Sequence, residues 1–469
     1  MHRTAVAVLL ACGVAALGVA ALQPGPPRVY EDQRGYLVAA SHLARSATLA
    51  YETPVAEAPV PDAFREPAYP WLVALAWRLA GAEAPASDEA VTSAARDPEV
   101  WGAVRGLTLA LLAVAAVAGG LAARHLSGDV AGALAFALVA ASPALRATAT
   151  DAMSENLAAA LFAVVAVSWA LAVRRPTPAR VTLAVAVTAL APLARAEAIA
   201  LLPVAGLLAA TAARRGGGAV RRWSAVAGLL LVLILPSLLW AARTRSASGH
   251  WALSDRGGMA LAVRAELDAE LVRHGPATLL LAWTPLESAR AAAHERSPGH
   301  TLLDHRPVGA GSFFTRTLRR WQAERTAPGA DRLGVDAEFR RRALERFAER
   351  PLAHLLAAPA VLWRSLFAER SPSWARPFDL TTATGLLLGA GWLLFLVRAA
   401  IARDPARLAF AAPLLAIALF HALATEFLPR YAVPLLPALW TALAVDVGDF
   451  VERRRRGARP GEPASAPVR

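Results

Sequence analysis

The chain has no lysine and a single cysteine, and only 18% of its 469 residues are charged. Cys12 lies inside an apolar run, so it supports neither a disulfide framework nor a thiolate metal cluster, and redox chemistry has no footing. No glycine-rich phosphate loop, Walker motif or internal repeat occurs. The scarcity of charge accompanies 56% hydrophobic residues, more apolar surface than a soluble chain can cover. The composition predicts an all-α polytopic membrane protein. A formal net charge of +13 would suit nucleic acid if the arginines shared one face, but they are spread over loops. A GC-rich genome and basic cytoplasmic loops account for them, and no nucleic-acid partner is expected.

A membrane span needs about 20 apolar residues, and Thr4 to Leu22 supplies one behind His2 and Arg3. A cleavable signal peptide has an apolar core of only about 7 to 15 residues, so a retained helix is expected here. Further runs lie at 106 to 123, 129 to 145, 154 to 173, 223 to 242, 380 to 397, 408 to 425 and 432 to 448. Val181 to Ala213 carries Arg195 and Glu197 at its middle. It reads as two short helices meeting at "LARAEA", because one long helix would hold both charges near the bilayer centre. The expected bundle therefore has about ten transmembrane helices.

Arginine placement orients it, since short cytoplasmic loops are enriched in basic residues. With the N-terminus inside, the inner loops hold Arg124, then Arg174, Arg175 and Arg180, then Arg214, Arg215, Arg221 and Arg222, then Arg398, Arg403 and Arg407, and last "ERRRRGAR". Leu352 to Trp363 is short and contains His354 and Pro359; it reads as a helix on the membrane surface. The organisation expected is an N-terminal membrane module over 1–245, with its first outer loop at about 23–100, an extracytoplasmic helical segment over 246–350, an interfacial helix and further spans over 351–450, and a basic cytoplasmic tail over 451–469. In the first outer loop Tyr36, Leu37, Ala40, Leu43 and Ala44 recur at helical spacing opposite Arg34, Ser41, His42 and Arg45, which predicts an interfacial helix. Pro67 and Pro70 in "FREPAYPWLVALAWRLAG" suit another helix start.

Several charges stand outside this pattern. Arg146, Arg195 and Arg430 fall at short outward turns, where topology gives them no purpose, and arginine's planar fork grips a phosphate with two hydrogen bonds. Arg430 is alternatively a headgroup anchor, Arg195 alternatively a salt-bridge partner of Glu197, and Arg65 is an ordinary loop arginine with the same chemistry open to it. Asp151 and Glu155 are four apart, so a helix would put them on one face, suited to position an acceptor or to hold a divalent cation through oxygen ligands. N-terminal helix acids, or a Ser154 cap, are the alternative. His294, His300, His305 and Asp304 lie in a broken loop without a zinc-ligand spacing, so the metal requirement stays unknown.

The order of "YEDQRGYLVAASHLA", "FREPAYPWLVAL", "SPALRATATDAMSENLAAALF", "LARAEAIALLP" and "EFLPRYAVPLLPALW" resembles the GT-C superfamily of membrane glycosyltransferases, in particular its lipid A aminoarabinose transferase, RgtA-like and protein mannosyltransferase branch. The weaker echoes "ARTRSASGHWALSD" and "AERPLAHLLAAPAVLWRSLF" extend the likeness over most of the chain. The resemblance implies transfer of a sugar, with inversion, from a polyprenyl-phosphate donor to a glycan, lipid or protein acceptor on the outer side of the plasma (inner) membrane, with both termini cytoplasmic. It places the catalytic carboxylate just past the first helix, on Asp32 or Glu31, of which Asp32 is preferred. It adds Tyr431, beside Arg430, to the donor-phosphate residues. A solvated helix start is the alternative for the two acids. Two other functions share such a bundle: a transporter or lipid-linked glycan flippase, for which neither an inverted repeat nor a charged relay is visible, and an O-antigen ligase or polymerase type enzyme. Reporter fusions near residue 60 and residue 300 should both report the outside, and one after Arg456 the cytoplasm. A cytoplasmic signal at residue 300 would overturn the paired reading of 181 to 213.

Overall fold

The computed structural model describes residues 2–23, 29, 31–213, 219–297, 313–368, 380–425 and 429–457. Every regular element among them is an α- or 3-10 helix. Alanine and leucine dominate the helices, and proline marks many of their starts: Pro98, Pro178, Pro276, Pro351 and Pro405 each occupy the first turn, where the missing N–H costs nothing. Side-chain caps fix the same boundaries. Asp97 accepts hydrogen bonds from the backbone of Glu99 and Val100, and Asp404 from that of Ala406 and Arg407.

Seven described helices are long and apolar enough to cross a membrane: Arg3–Leu22, Pro98–Ser127, Ser154–Arg174, Ala225–Ala247, Thr381–Ile401, Pro405–Ala424 and Arg430–Arg455. Three shorter apolar helices, Asp129–Ala141, Pro178–Ala194 and Ala196–Thr211, fall where the remaining spans were expected. The chain is an all-α, multi-pass membrane protein. One expectation needs correcting: the run 129 to 145 is not a single helix. It stops at Ala141; Ser142 then caps Leu145, and Pro143 opens a separate helix, Pro143–Thr148, because proline cannot donate to the preceding turn. The segment 181 to 213 is two helices separated by an extended Arg195 and a 3-10 turn, Ala196–Ala200.

Small residues allow the spans to pack closely. A Cβ on Gly132 would sit 2.9 Å from the Gly120 carbonyl oxygen, so Pro98–Ser127 and Asp129–Ala141 meet backbone to backbone there. A second apolar cluster gathers outside the main bundle core. Tyr36 and Leu37 from helix Glu31–Ser46 pack with Tyr69, Val73 and Trp77 from helix Ala68–Ala80 and with Trp240. The first loop is thus a built platform rather than a tether.

The segment 246–350 is tied both to this platform and to the neighbouring helices. Arg325 bridges Asp255 and Glu52 at 2.6 Å each, and the Phe64 and Trp321 rings flank its guanidinium at 5.0 and 4.8 Å. Buried Arg264 donates to the carbonyls of Ala422 and His354 and pairs with Asp268, tying helix Gly257–His274 to the C-terminal end of Pro405–Ala424. Helix Pro351–Ser365 buries Ala357, Ala360 and Val361 and exposes Leu352, Leu355 and Leu356. At the start of Gly257–His274, the Asp336 carboxylate accepts from the backbone N–H groups of Gly258 and Met259 at 2.8 and 3.0 Å. A Cβ on Gly258 would lie 1.8 Å from the Asp336 carbonyl oxygen. Gly258→Ala should therefore separate the two helices at a cost of about 1 to 3 kcal/mol, read as a lower melting temperature in detergent and faster proteolysis of the segment 246–350. Unchanged melting would show that this contact is slack.

Candidate functional site

Asp32 lies in the first turn of helix Glu31–Ser46, just past the first span. The platform decides what its side chain meets: Tyr36, one turn on, is buried with its hydroxyl 2.7 Å from Ser154 Oγ, and its ring meets Tyr69 edge-on at 5.3 Å. With that face held inward, Asp32 turns toward two arginines from distant parts of the chain. Arg65 donates to Oδ1 of the carboxylate, and Arg430 Nη1 donates to Oδ2 at 2.6 Å. Arg65 stacks over the Tyr36 ring at 4.7 Å. A third guanidinium, that of Arg256, also acts on Asp32 and stacks over Phe64 at 5.2 Å. It is delivered by Asp255, whose N–H donates to the Ala63 carbonyl at 2.9 Å. Burial alone would raise the Asp32 pKa, but Arg65, Arg430 and Arg256 outweigh it and hold the carboxyl well below the usual carboxylate range.

Among the described residues, three guanidiniums around one carboxylate leave an excess of two positive charges. Arg65, Arg256 and Arg430 also each keep a buried Nε–H without a hydrogen-bond partner, so the cluster has more donors than acceptors. The Arg430 side chain is 39% exposed, which opens the cluster on that side.

A second ionic group adjoins it. Arg195 pairs with Glu197 and lies 3.4 Å from Glu155, and His421 Nε2 lies 3.7 Å from Glu197. Residues two apart on a helix do not face each other, but Arg195 is extended at φ −154° and ψ 128°, which brings its fork back onto Glu197. The Tyr431 ring joins the groups, with Arg195 5.3 Å and Arg430 5.4 Å from its centroid and the His421 ring stacked on it at 5.8 Å. From the first loop, Glu66 Oε1 accepts from the Ala196 N–H at 2.9 Å. Burial lifts the Glu66 carboxyl above its usual range, and Glu197 adds to the effect.

The structure therefore gathers Asp32, Arg65 and Arg430 directly, and Arg195, Glu155 and Tyr431 next to them. The Glu31 side chain lies outside the described residues. Arg146, on Pro143–Thr148, makes no ion pair among the described residues and does not reach Asp32. The shared helical face expected for Asp151 and Glu155 is corrected: extended Met153 (φ −128°, ψ 142°) precedes a helix that begins only at Ser154, so Asp151 lies before it. Glu155 is buried, and its Oε2 has no hydrogen-bond partner. His300, Asp304 and His305 lie outside the described residues. Among the described residues no three metal-ligating side chains come together. Sequence reading missed Arg256, Glu66 and His421. The fragment "ARTRSASGHWALSD" stops one residue short of Arg256, and nothing in a lone loop arginine marks it as facing a carboxylate more than two hundred positions away.

No protein-family model matches the chain, and no curated protein does. Among solved structures, the oligosaccharyltransferase AglB of Archaeoglobus fulgidus, in complex with an inhibitory peptide and a dolichol-phosphate, is similar over 96% of this chain and 52% of its own, at 15% identity and a TM-score of 0.48. ArnT of Cupriavidus metallidurans, bound to undecaprenyl phosphate, is similar over 97% of this chain and 79% of its own, at 16% identity and a TM-score of 0.37. The chain thus spans about half the length of the oligosaccharyltransferase. Likenesses this distant carry no argument about activity.

Removing a buried arginine leaves its carboxylates uncompensated. Arg195→Ala should destabilise the protein by about 3 to 5 kcal/mol, and adding Glu197→Gln should recover part of the loss. Melting of the purified variants decides; an Arg195→Ala protein as stable as wild type would mean that water reaches and solvates Glu155 and Glu197.

Proposed function

We propose that the chain is a GT-C-type membrane glycosyltransferase that transfers a sugar, with inversion, from a polyprenyl-phosphate donor to an envelope glycan, lipid or protein acceptor on the extracytoplasmic face of the plasma membrane, both termini being cytoplasmic. The observation that carries this reading is the convergence of Arg65, Arg256 and Arg430 on Asp32, where the first span ends and the last apolar helix begins. A lipid phosphate lies at the depth of a span's end. Arginine forks match its oxygens, and the excess positive charge suits the negative charge that the phosphate gains as the sugar leaves. The order of sequence motifs that resembles the GT-C superfamily supports the same reading.

In the proposed reaction the acceptor hydroxyl oxygen bonds to the anomeric carbon while the bond from that carbon to the phosphate oxygen breaks and its electron pair stays with the phosphate. The hydroxyl proton passes to a carboxylate on the opposite side, which is Asp32 in this reading. Arg65, Arg256 and Arg430 hold the departing phosphate; Tyr431 sets the Arg430 fork. Glu155 and Asp151 border the acceptor side, and the segment 246–350 shapes access to it. A flippase would also need phosphate-binding arginines but would form no glycosidic product.

Incubating the purified protein with a panel of polyprenyl-phosphate sugars and envelope extracts, beside glycan analysis of a deletion strain, tests the reading; movement of lipid without a new glycosidic bond would sink it. Arg430→Ala should lower turnover on the lipid donor by roughly 10-fold to 150-fold, matching a lost charged hydrogen bond of about 1.5 to 3 kcal/mol, and Arg430→Lys should restore only part of it. Asp32→Asn should lose at least about a hundredfold in turnover, within the range of general-base assistance, and Glu31→Gln should lose less. Normal turnover in both acid variants would remove this stretch from the chemistry.

A further inference from the structure

Both oxygens of the Asp32 carboxylate are occupied: Oδ1 by Arg65 and Oδ2 by Arg430. A carboxylate whose charge is shared between two guanidiniums in this way is a poor base for an acceptor hydroxyl. The two arginines, for their part, present to Asp32 the N–H groups that a phosphate would take. We propose that Asp32 is the resident counter-ion of an anion slot, and that the phosphate of the lipid-linked donor displaces it from Arg65 and Arg430, freeing the carboxylate for the acceptor. This rests on the reading of the site as a polyprenyl-phosphate sugar transferase.

The surroundings favour exchange over simple addition. Arg65 and Arg430 cannot turn fully to a new anion while they hold Asp32, because a guanidinium presents its donors in one plane. Arg256 makes no ion pair among the described residues, so it can take an incoming anion first. Three buried Nε–H donors are already unsatisfied, so the slot has donors to spare for the two unesterified oxygens of the donor phosphate. The charge count also permits the swap: with Asp32 displaced, three guanidiniums still face an anion of one or two charges. Displacement has a direct effect on the chemistry. A carboxylate released from two arginines is a stronger base than a clamped one, so donor binding arms the group that accepts the proton. The acceptor is then activated only in the presence of donor.

Affinity supplies a test with an unusual sign. If Asp32 competes with the donor phosphate, removing its charge should tighten phosphate binding; if it only holds the arginines in place, removing it should loosen binding. The full-length protein, in detergent, is titrated with undecaprenyl monophosphate, with inorganic phosphate to separate headgroup from free anion, and with uncharged undecaprenol to measure binding of the chain alone. Asp32→Asn and Asp32→Ser should both bind undecaprenyl phosphate about 10-fold to 100-fold tighter than wild type, on the scale of charged hydrogen bonds, although Asp32→Asn is inactive. Asp32→Glu, which keeps the charge, should gain nothing. With two uncharged variants the titration stays decisive even if one fails to fold, which its melting curve reveals. Unchanged or weaker binding in the folded uncharged variants overturns the exchange while leaving the glycosyltransferase reading intact. Equal binding of undecaprenyl phosphate and undecaprenol by every protein removes the phosphate site itself, and that reading with it.

Discussion

The ion pair between Asp32 and Arg430 joins residues 398 positions apart, and the arrangement of this end of the bundle depends on it. One partner sits where the first span ends, the other where the last apolar helix begins. Burying a charge is costly unless it is paired, so the pair holds only if both spans end at the same depth and the first loop folds back between them. The Tyr36 and Tyr69 platform performs that folding back, and the segment 246–350 closes on it through the Arg325–Glu52 pair and the Asp255 N–H to Ala63. Apolar packing of the spans positions the charges; the charges in turn fix which spans are neighbours at this end of the bundle.

Two adjacent ionic groups differ in a way that separates structure from function. Around Arg195 one guanidinium meets Glu155 and Glu197, so negative groups outnumber positive ones and the arginine is fully committed. Around Asp32 the imbalance runs the other way, with three guanidiniums to one carboxylate and three unused N–H donors. A committed arginine serves the fold. A surplus of buried donors is a cost that a further acceptor would relieve. Tyr431 is in contact with arginines of both groups and so couples the committed group to the surplus one.

The helices were legible because a span needs a long apolar run, a pattern that survives in a single sequence. Asp32, Arg195 and Arg430 stood out for a related reason: a charge beside an apolar run has to be explained. Arg256 had no such contrast, because it lies in a loop where arginine is common, and the backbone bond from Asp255 to Ala63 carries it to the first loop. The failed helical face of Asp151 and Glu155 has a local cause. Spacing of four implies one face only if the helix already runs through both residues, and extended Met153 delays it to Ser154. The break at Ser142 was likewise set by a single Pro143 in a run otherwise apolar enough to continue.

The absence of lysine bears on the site as well as on the genome. A lysine buried beside two other cations would tend to lose its proton, since desolvation and like charge both favour the neutral amine. Arginine keeps its charge under the same pressure. Arg256 shows the pressure directly: burial and neighbouring Arg65 both lower its pKa, yet a group that begins so high remains a cation at any physiological pH. Three cations can therefore crowd one carboxylate without any of them switching off. The crowding is also what makes the slot selective, because a neutral ligand would leave two charges uncompensated where an anion would not. A chain whose only strong base is arginine can thus keep this cluster positive at any physiological pH, and the carboxylate that the arginines enclose stays ionised with them.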